Sequence, residues 1–389
     1  MSSAAAAGVA DADARPVAMQ DLEAHHRPLR AELDAAALRV LHSGRYVLGA
    51  DGSEVRAFEE EAAAALGVAH AVGVSSGTDA LLALLMAAGV GPGDDVVTTP
   101  FSFIAPAGVI ARLGARPVFA DIEPFTWTLD PAAAVACLGP ATKAVLPVHL
   151  FGRVARTPSL EAACVARGVP LFEDAAQAIA ATDGGGRAAG TIGQAAALSF
   201  FPSKNLGGFG DGGMVLTNDA ALARRVRLLR VHGASAKFHH PTLGGNFRLD
   251  ELQAGLLRVK LPHLPRWTAA RRRVAGWYRQ ALADVPVVLP PDDAGCVWNQ
   301  FVLGVPGDRR DGLAAHLAAR GIATAVYYPE PLHLQPCFAH LGHRRGDFPV
   351  AERACREALA IPLHPDLTEP DVARVAATIH GYFSPSRVT

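Results

Sequence analysis

The sequence has little charge and no excess of either sign. Only 19% of its 389 residues are charged, and 36 Lys and Arg stand against 37 Asp and Glu. This balance lacks the basic surface that nucleic acid or an anionic membrane would require. Half of the residues are hydrophobic, which excludes intrinsic disorder and is enough for a large core. The length favours two domains over one.

Long apolar runs are missing as well. The longest, Ala80–Val90, is far shorter than the roughly 20 residues that cross a bilayer. The Ala-rich start carries Asp11, Asp13 and Arg15 where a secretion signal would be apolar. We therefore expect a soluble, cytoplasmic protein whose partners include neither nucleic acid nor a membrane.

Cysteines are few, and no metal-binding pattern accompanies them. The five are odd in number and widely spaced, without a CxxC pair, so they predict neither a disulfide framework nor a zinc site. The pairs His25-His26 and His239-His240 are weak metal candidates, because adjacent side chains point in different directions and no carboxylate spacing accompanies them. We expect no metal.

Lysine is the rarest basic residue. Reactions that need a free amine have four candidates: Lys143, Lys204, Lys237 and Lys260.

Short β-rich segments alternate with helical segments between residues 66 and 218. This pattern is typical of an α/β fold with a mostly parallel sheet covered by helices on both faces. Functional sites in such sheets lie at the carboxyl ends of strands. The predicted strands, seven in number, are Ala69–Val74, Asp95–Thr99, Arg116–Ala120, Ala144–His149, Pro170–Glu173, Ala195–Phe200 and Gly213–Thr217.

Longer, Arg-rich helical segments follow residue 218. They lead into a smaller α+β unit that includes Val297–Val305 and a helix over Asp311–Arg320. We place the boundary in the Pro-bracketed turn at Leu261–Pro265. The prediction is a large domain over residues 1–262, with an N-terminal helical arm, and a small C-terminal domain over residues 263–389.

A phosphate site is one interpretation of Ser75-Ser76-Gly77-Thr78, where a strand leads into a helix. Gly77 permits a tight turn, Thr78 offers a hydroxyl, and the start of the helix presents free N–H groups. An ordinary helix cap is the alternative, and this stretch alone does not decide between them.

A second candidate is the carboxylate at the end of an apolar strand, in Glu173-Asp174. Asp174 would need a partner at that depth, and a protonated pyridine nitrogen would be one. Gln177, three residues later, could reach a neighbouring ring hydroxyl. A helix-capping Asp is again an equally good interpretation of this stretch.

Lys204 has the most reactive setting of the four lysines. It follows an apolar strand and Pro202, and it precedes a glycine-rich loop over residues 207–213. Desolvation there would lower the pKa of its amine and make it a nucleophile. Lys143, Lys237 and Lys260 are instead expected to be solvated surface groups.

Two other basic or glycine-rich patterns carry no chemistry. The glycine loop lacks the GxxxxGK[ST] pattern of nucleotide-binding loops and lies between two strands. The run Arg271-Arg272-Arg273 is most simply a solvated helix face.

A nicotinamide-dependent oxidoreductase is disfavoured because no GxGxxG follows the first strand.

Taken together and in this order, these stretches resemble the DegT/DnrJ/EryC1/StrS family of pyridoxal-phosphate-dependent sugar aminotransferases. The resemblance extends from SGRYVLG at residues 43–49, through SSGTDAL, EDAAQA and SFFPSKNLGGFGDGG, to YYPEPLHLQPCF near the end. It implies a fold-type I large domain with a smaller C-terminal domain.

The resemblance also implies roles for individual residues. Lys204 would be the catalytic residue, joined to pyridoxal 5'-phosphate as a Schiff base. Arg248 and His333 would lie near the substrate. The cofactor would contact Gly77, Thr78 and Ser199 at its phosphate, Asp174 at the ring nitrogen, Gln177 at the ring hydroxyl and Phe103 at the ring face, with Asn246 reaching in from the partner of a homodimer.

The implied reaction moves an amino group from an amino acid, in first place L-glutamate, to a keto-sugar by a ping-pong mechanism. The motif FFPSKNLGGFGDGG is most similar to the branch that aminates C3 of nucleotide-linked 3-keto hexoses. C4-keto-sugars, keto-cyclitols and a non-catalytic regulatory role on the same fold remain open. Because Lys204 is present, the dehydrating branch with His in its place is disfavoured.

Overall fold

The structure is a computed structural model that describes residues 15–48 and 53–384. Its larger part alternates helices and strands. In chain order they are α1 (Leu22–His26), α2 (Arg30–Ser43), α3 (Glu54–Leu66), β1 (His70–Val74), α4 (Gly77–Ala87), β2 (Asp95–Thr98), α5 (Ala105–Arg112), β3 (Arg116–Phe119), α6 (Pro131–Ala136), β4 (Thr142–Val145), α7 (Pro158–Arg167), β5 (Phe172–Asp174), β6 (Ala195–Ser199), β7 (Gly213–Thr217), α8 (Ala220–Leu229) and α9 (Glu251–Lys260).

These strands form one mostly parallel sheet, as predicted. Four strands pair in the order β1-β7-β6-β5 and three in the order β3-β2-β4. Parallel bridges between Val145 and Leu171 and between Val148 and Asp174 join the two groups into seven strands. Only β7 runs antiparallel to its neighbours. It lies between β1 and β6, so that Gly213 pairs with both Val74 and Ser199.

Helices cover both faces of the sheet because its strands are apolar on both. One core joins α4 and α8 to one face, and another joins α2, α3 and α9 to the opposite face. Local signals set the helix ends. Ser76 caps α4, with its side chain accepting from the Asp79 amide at 3.0 Å, and Gly67 ends α3 in a left-handed conformation.

The C-terminal part has its own core. It consists of α10 (Leu264–Ala281), β8 (Phe301–Gly304), α11 (Arg310–Ala318), α12 (Pro349–Glu357), β9 (Ala358–Ile361) and α13 (Glu369–Phe383), and β8 and β9 pair antiparallel. Val17 of the N-terminal arm packs into this core and pairs with Ile322. Residues 251–281 form an almost continuous helical path through the predicted boundary, so the division at residue 262 stays a prediction.

Two predictions about surface residues were wrong. Lys260 is only 1% exposed, and its ammonium donates to the Gly207 carbonyl and, at 2.9 Å, to His26 Nε2. Arg271 is also buried, and it donates to the carbonyls of Trp298, Asn299 and Leu363. Both lie on helices whose polar composition suggested solvated faces, yet their cationic groups face inward and donate to backbone carbonyls of distant segments.

Candidate active site

Lys204 lies in a tight turn directly after β6. Its backbone amide donates to the Phe201 carbonyl at 2.8 Å, and Gln20 of the N-terminal arm donates to the adjacent Ser203 carbonyl at 2.8 Å. The side chain keeps some exposed surface, but surrounding protein desolvates its amine. This desolvation lowers the pKa of Lys204 to about 8, although Asp174 acts in the opposite direction.

Asp174 ends β5 and is 5% exposed. Its Oδ1 accepts from the Ala176 amide at 3.0 Å. Burial raises the pKa of this carboxyl, while the Ala176 amide, Lys204 and His149 lower it. A buried carboxylate with one backbone donor is a good partner for a cationic group.

Gln177 is held at both ends of its amide. Its Oε1 accepts from the Phe151 amide at 2.7 Å, and its Nε2 donates to the Tyr328 hydroxyl at 3.2 Å. Tyr328 was not among the predicted site residues. The Tyr-Tyr pair in YYPEP was visible in the sequence, but nothing in it indicated that a residue so distant along the chain meets Gln177.

Gly77, Thr78 and Ser199 come together where β1 and β6 end. A Cβ on Gly77 would lie 2.7 Å from the Ser199 Cβ, so only glycine allows this approach between α4 and β6. Gly213 has a related role, since its Cβ would lie 2.3 Å from the Ser76 carbonyl carbon. The start of α4 and the Ser199 hydroxyl therefore form a compact cradle that fits a phosphate.

Asn246 and Arg248 belong to a segment beside the end of β1. The Phe247 carbonyl accepts from the Ser75 amide at 3.0 Å, and Arg248 forms a backbone bridge with Val74. Asn246 is exposed. Among the described residues, the buried Nε of Arg248 has no hydrogen-bond partner. This donor is buried, so the structure by itself does not bring it into contact with a substrate.

Phe103 and His333 differ in their access to solvent. Phe103, just after β2, is 56% exposed, so one face of its ring is free to stack. His333 is 2% exposed, and its Nε2 lies 3.1 Å from the Glu352 carboxylate. The ring also packs against Phe348. His333 could touch a substrate only if this packing opened, so the predicted contact has no support from the structure.

A buried hydrogen bond between His149 and Glu173 supports the end of β5 that carries Asp174. His149 and Glu173 are both fully buried, and their side chains meet at 2.9 Å. His149 Nδ1 accepts from the Ala155 amide, so Nε2 carries the proton that it donates to Glu173. Glu173 also accepts three backbone amides, from Gly190, Ile192 and Gly193, and these contacts tie the residues before β6 to the end of β5.

No cluster of three or more His, Cys, Asp or Glu side chains within residues 15–48 and 53–384 is arranged to hold a metal ion. In the same ranges, no helix is both long and apolar enough to cross a membrane.

Comparison with known proteins identifies the family of this chain. The model of the DegT/DnrJ/EryC1/StrS aminotransferase family matches residues 28–380. The chain belongs to this family. As a member of the DegT/DnrJ/EryC1/StrS family, it is a pyridoxal-phosphate-dependent sugar aminotransferase, and the amine, buried carboxylate and phosphate cradle described above fit that cofactor.

Three relatives of this DegT/DnrJ/EryC1/StrS aminotransferase match it over nearly its whole length. A pleiotropic regulatory protein from Geobacillus stearothermophilus is 45% identical, over 94% of this chain and 98% of the relative. A UDP-N-acetyl-3-dehydro-alpha-D-glucosamine 3-aminotransferase from Acidithiobacillus ferrooxidans is 43% identical, with the same two coverages. DesV from S. venezuelae, whose crystal structure contains a ketimine intermediate, is 42% identical to this chain in sequence. The two structures superpose with a TM-score of 0.91, and the match covers 96% of this chain and 100% of the DesV chain.

Proposed function

We propose that this enzyme transfers the amino group of an amino acid, in first place L-glutamate, to C3 of a nucleotide-linked 3-keto hexose. The aminotransferase assignment rests on two groups that meet near the ends of the adjacent strands β5 and β6. These groups are the Lys204 amine and the buried Asp174 carboxylate. The C3 assignment is supported by the 43% identical relative from Acidithiobacillus ferrooxidans, which is named as a 3-aminotransferase.

Each site residue has a physical role in this proposal. The Lys204 amine, with a pKa of about 8, can join the cofactor and can take up and return a proton near neutral pH. Asp174 stabilises a protonated ring nitrogen. When bound, pyridoxal phosphate supplies an electron-withdrawing ring that stabilises negative charge on the carbon next to the transferred nitrogen.

The remaining residues orient the bound molecules. Gly77, Thr78 and Ser199 hold the phosphate through the cradle described above, and Phe103 covers one face of the ring. Arg248 receives an anionic or hydroxyl group of the substrate with its guanidinium, in the position that the family resemblance implies. Because amino donor and sugar acceptor would use the same amine carrier in turn, we expect ping-pong kinetics.

We also propose the homodimer that the family resemblance implies, and the exposed position of Asn246 leaves this side chain free to reach a partner subunit. In this proposal, Asn246 completes the phosphate site of the partner subunit. Mixing inactive Lys204→Ala and Asn246→Ala variants tests it, since subunit exchange would create one intact site per mixed dimer. Recovery of activity on mixing supports a shared site, and no recovery despite subunit exchange would contradict it.

Substrate choice is tested with the aminated form of the cofactor bound to the protein. Nucleotide-linked 3-keto and 4-keto hexoses and a keto-cyclitol are added separately, and loss of the aminated cofactor's absorbance is followed. We expect the response with the 3-keto sugar. A response confined to the 4-keto sugar or the cyclitol would contradict the C3 assignment.

A regulatory protein on this fold is the second candidate, because the 45% identical relative from Geobacillus stearothermophilus is named as one. This candidate would be favoured if no amino acid converted the bound cofactor to its amine form. Intact Lys204, Asp174 and Gln177 favour catalysis instead.

A further inference from the structure

Tyr328 joins a distant part of the chain to the site. It precedes Pro329 in the segment that connects α11 to α12, whereas Gln177 follows β5. The Tyr328 hydroxyl accepts from Gln177 Nε2 at 3.2 Å. Its ring also meets Phe101 edge to face, with the ring centroids 6.0 Å apart. The hydroxyl is therefore held in place by packing.

The hydrogen bonds of Gln177 define which atoms of its amide remain free. Oε1 already accepts from the Phe151 amide at 2.7 Å, so the oxygen faces Phe151 and the nitrogen faces Tyr328. An amide nitrogen carries two hydrogens, and Tyr328 takes one. No acceptor for the second is found among the described residues. Gln177 can thus offer an N–H donor to a ligand in the site, while its oxygen is directed toward the Phe151 amide.

The Tyr328 hydroxyl is suited to holding the Gln177 amide because it stays protonated. Burial is the largest cause that raises the pKa of its hydroxyl, and Asp174 and Tyr327 raise it further. The Gln177 side chain, which donates to the Tyr328 oxygen, and the nearby backbone amide of Phe103 have the opposite effect on this pKa. This oxygen therefore interacts with two segments predicted to contact the cofactor, those of Gln177 and Phe103.

We propose that Tyr328 is a positioning residue: its hydroxyl fixes the amide of Gln177 so that the remaining N–H donates to the ring oxygen of pyridoxal phosphate. The inference rests on the proposed function. A donor stabilises negative charge on the ring oxygen and weakens that oxygen's hold on a shared proton. Tyr328 thereby lowers the pH at which the lysine-bound cofactor loses its proton.

The test is a pH titration of the absorbance of the bound cofactor in Tyr328→Phe, which keeps the ring and removes the hydroxyl. We expect the midpoint to move to higher pH by about half a unit to one unit. We also expect cofactor affinity to fall by about three- to tenfold, as for loss of one hydrogen bond. Tyr327→Phe is the matched control, because its neighbouring ring has no described bond to Gln177, and it should titrate like the parent.

A double variant separates positioning from a general structural effect. In a Gln177→Ala background, Tyr328→Phe should cause no further shift, because Tyr328 acts through Gln177. An unchanged midpoint in Tyr328→Phe, or a full additional shift in the double variant, would overturn the inference. An unchanged absorption band in Lys204→Ala would instead contradict the proposed function itself, so the two failures are distinguishable.

Discussion

The carboxylate of Asp174 and the amine of Lys204 lie close enough for each to shift the pKa of the other. In both groups burial is the larger effect, raising the pKa of the acid and lowering that of the amine, while mutual attraction opposes it. Each group therefore gives up its charge more readily than it would in water. A cationic ring nitrogen beside Asp174 would supply the partner that the carboxylate lacks.

Replacing Asp174 tests this electrostatic role. In Asp174→Asn, we expect the rate at which an amino acid aminates the bound cofactor to fall on the order of 10²–10⁴-fold, because breaking a buried charge pair costs about 3–5 kcal/mol. Single-turnover absorbance measures the rate. The exposed Asp284→Asn is the control, and an Asp174→Asn rate equal to the control would exclude the proposed contact.

The amine of Lys204 gives the rate of cofactor binding a defined pH dependence. Only the neutral amine attacks an aldehyde, and its pKa is about 8. The rate of incorporation into cofactor-free protein should therefore rise with pH, pass its midpoint at about pH 8 and level off above that. Asp174→Asn should move the midpoint to lower pH, because Asp174 raises this pKa. A rate that does not change between about pH 6 and 10 would contradict the assignment.

The approach of Gly77 to Ser199 predicts a steric effect. The added methyl of Gly77→Ala would lie 2.7 Å from the Ser199 Cβ and must displace the start of α4. We expect about a tenfold or greater loss of pyridoxal phosphate affinity, measured by fluorescence titration, with the fold retained. Gly276→Ala in α10 meets nothing within 4 Å and should leave this affinity unchanged. Equal affinities in the two variants would exclude the cradle.

Buried Lys260 predicts how stability depends on pH. Its pKa is lowered by burial from 10.5 to about 8, so between these values the unfolded chain binds more protons than the folded one. Stability should therefore rise with pH across that window, by roughly 2–3 kcal/mol from this group.

Urea unfolding at several pH values measures this contribution. The rise should shrink in Lys260→Met and persist in Lys143→Met, since Lys143 is exposed. A rise of the same size in Lys260→Met as in the parent would show that Lys260 does not titrate as described.

The sequence was sufficient to predict features that depend on neighbouring residues, such as the strands and the reactive groups near their ends. Alternating apolar segments predicted the seven strands with ends that differ by at most a few residues. Asp174 stood out because it ends a buried strand, and Lys204 because it lies in the turn that follows one. The sequence was not sufficient to predict contacts between distant segments, because tertiary packing determines them. Lys260 has the composition of a surface helix residue, yet its ammonium meets Gly207 and His26 from distant segments. Tyr328 was missed for the same reason.

The most direct test of the account is to identify the lysine that holds the cofactor. Protein incubated with pyridoxal phosphate is reduced with borohydride, which makes the lysine linkage permanent, and its peptides are analysed by mass spectrometry. With only four lysines in the chain, each site is separately resolved. The account predicts the modification on Lys204 and its loss in Lys204→Ala. Modification of Lys143, Lys237 or Lys260 in place of Lys204 would contradict it.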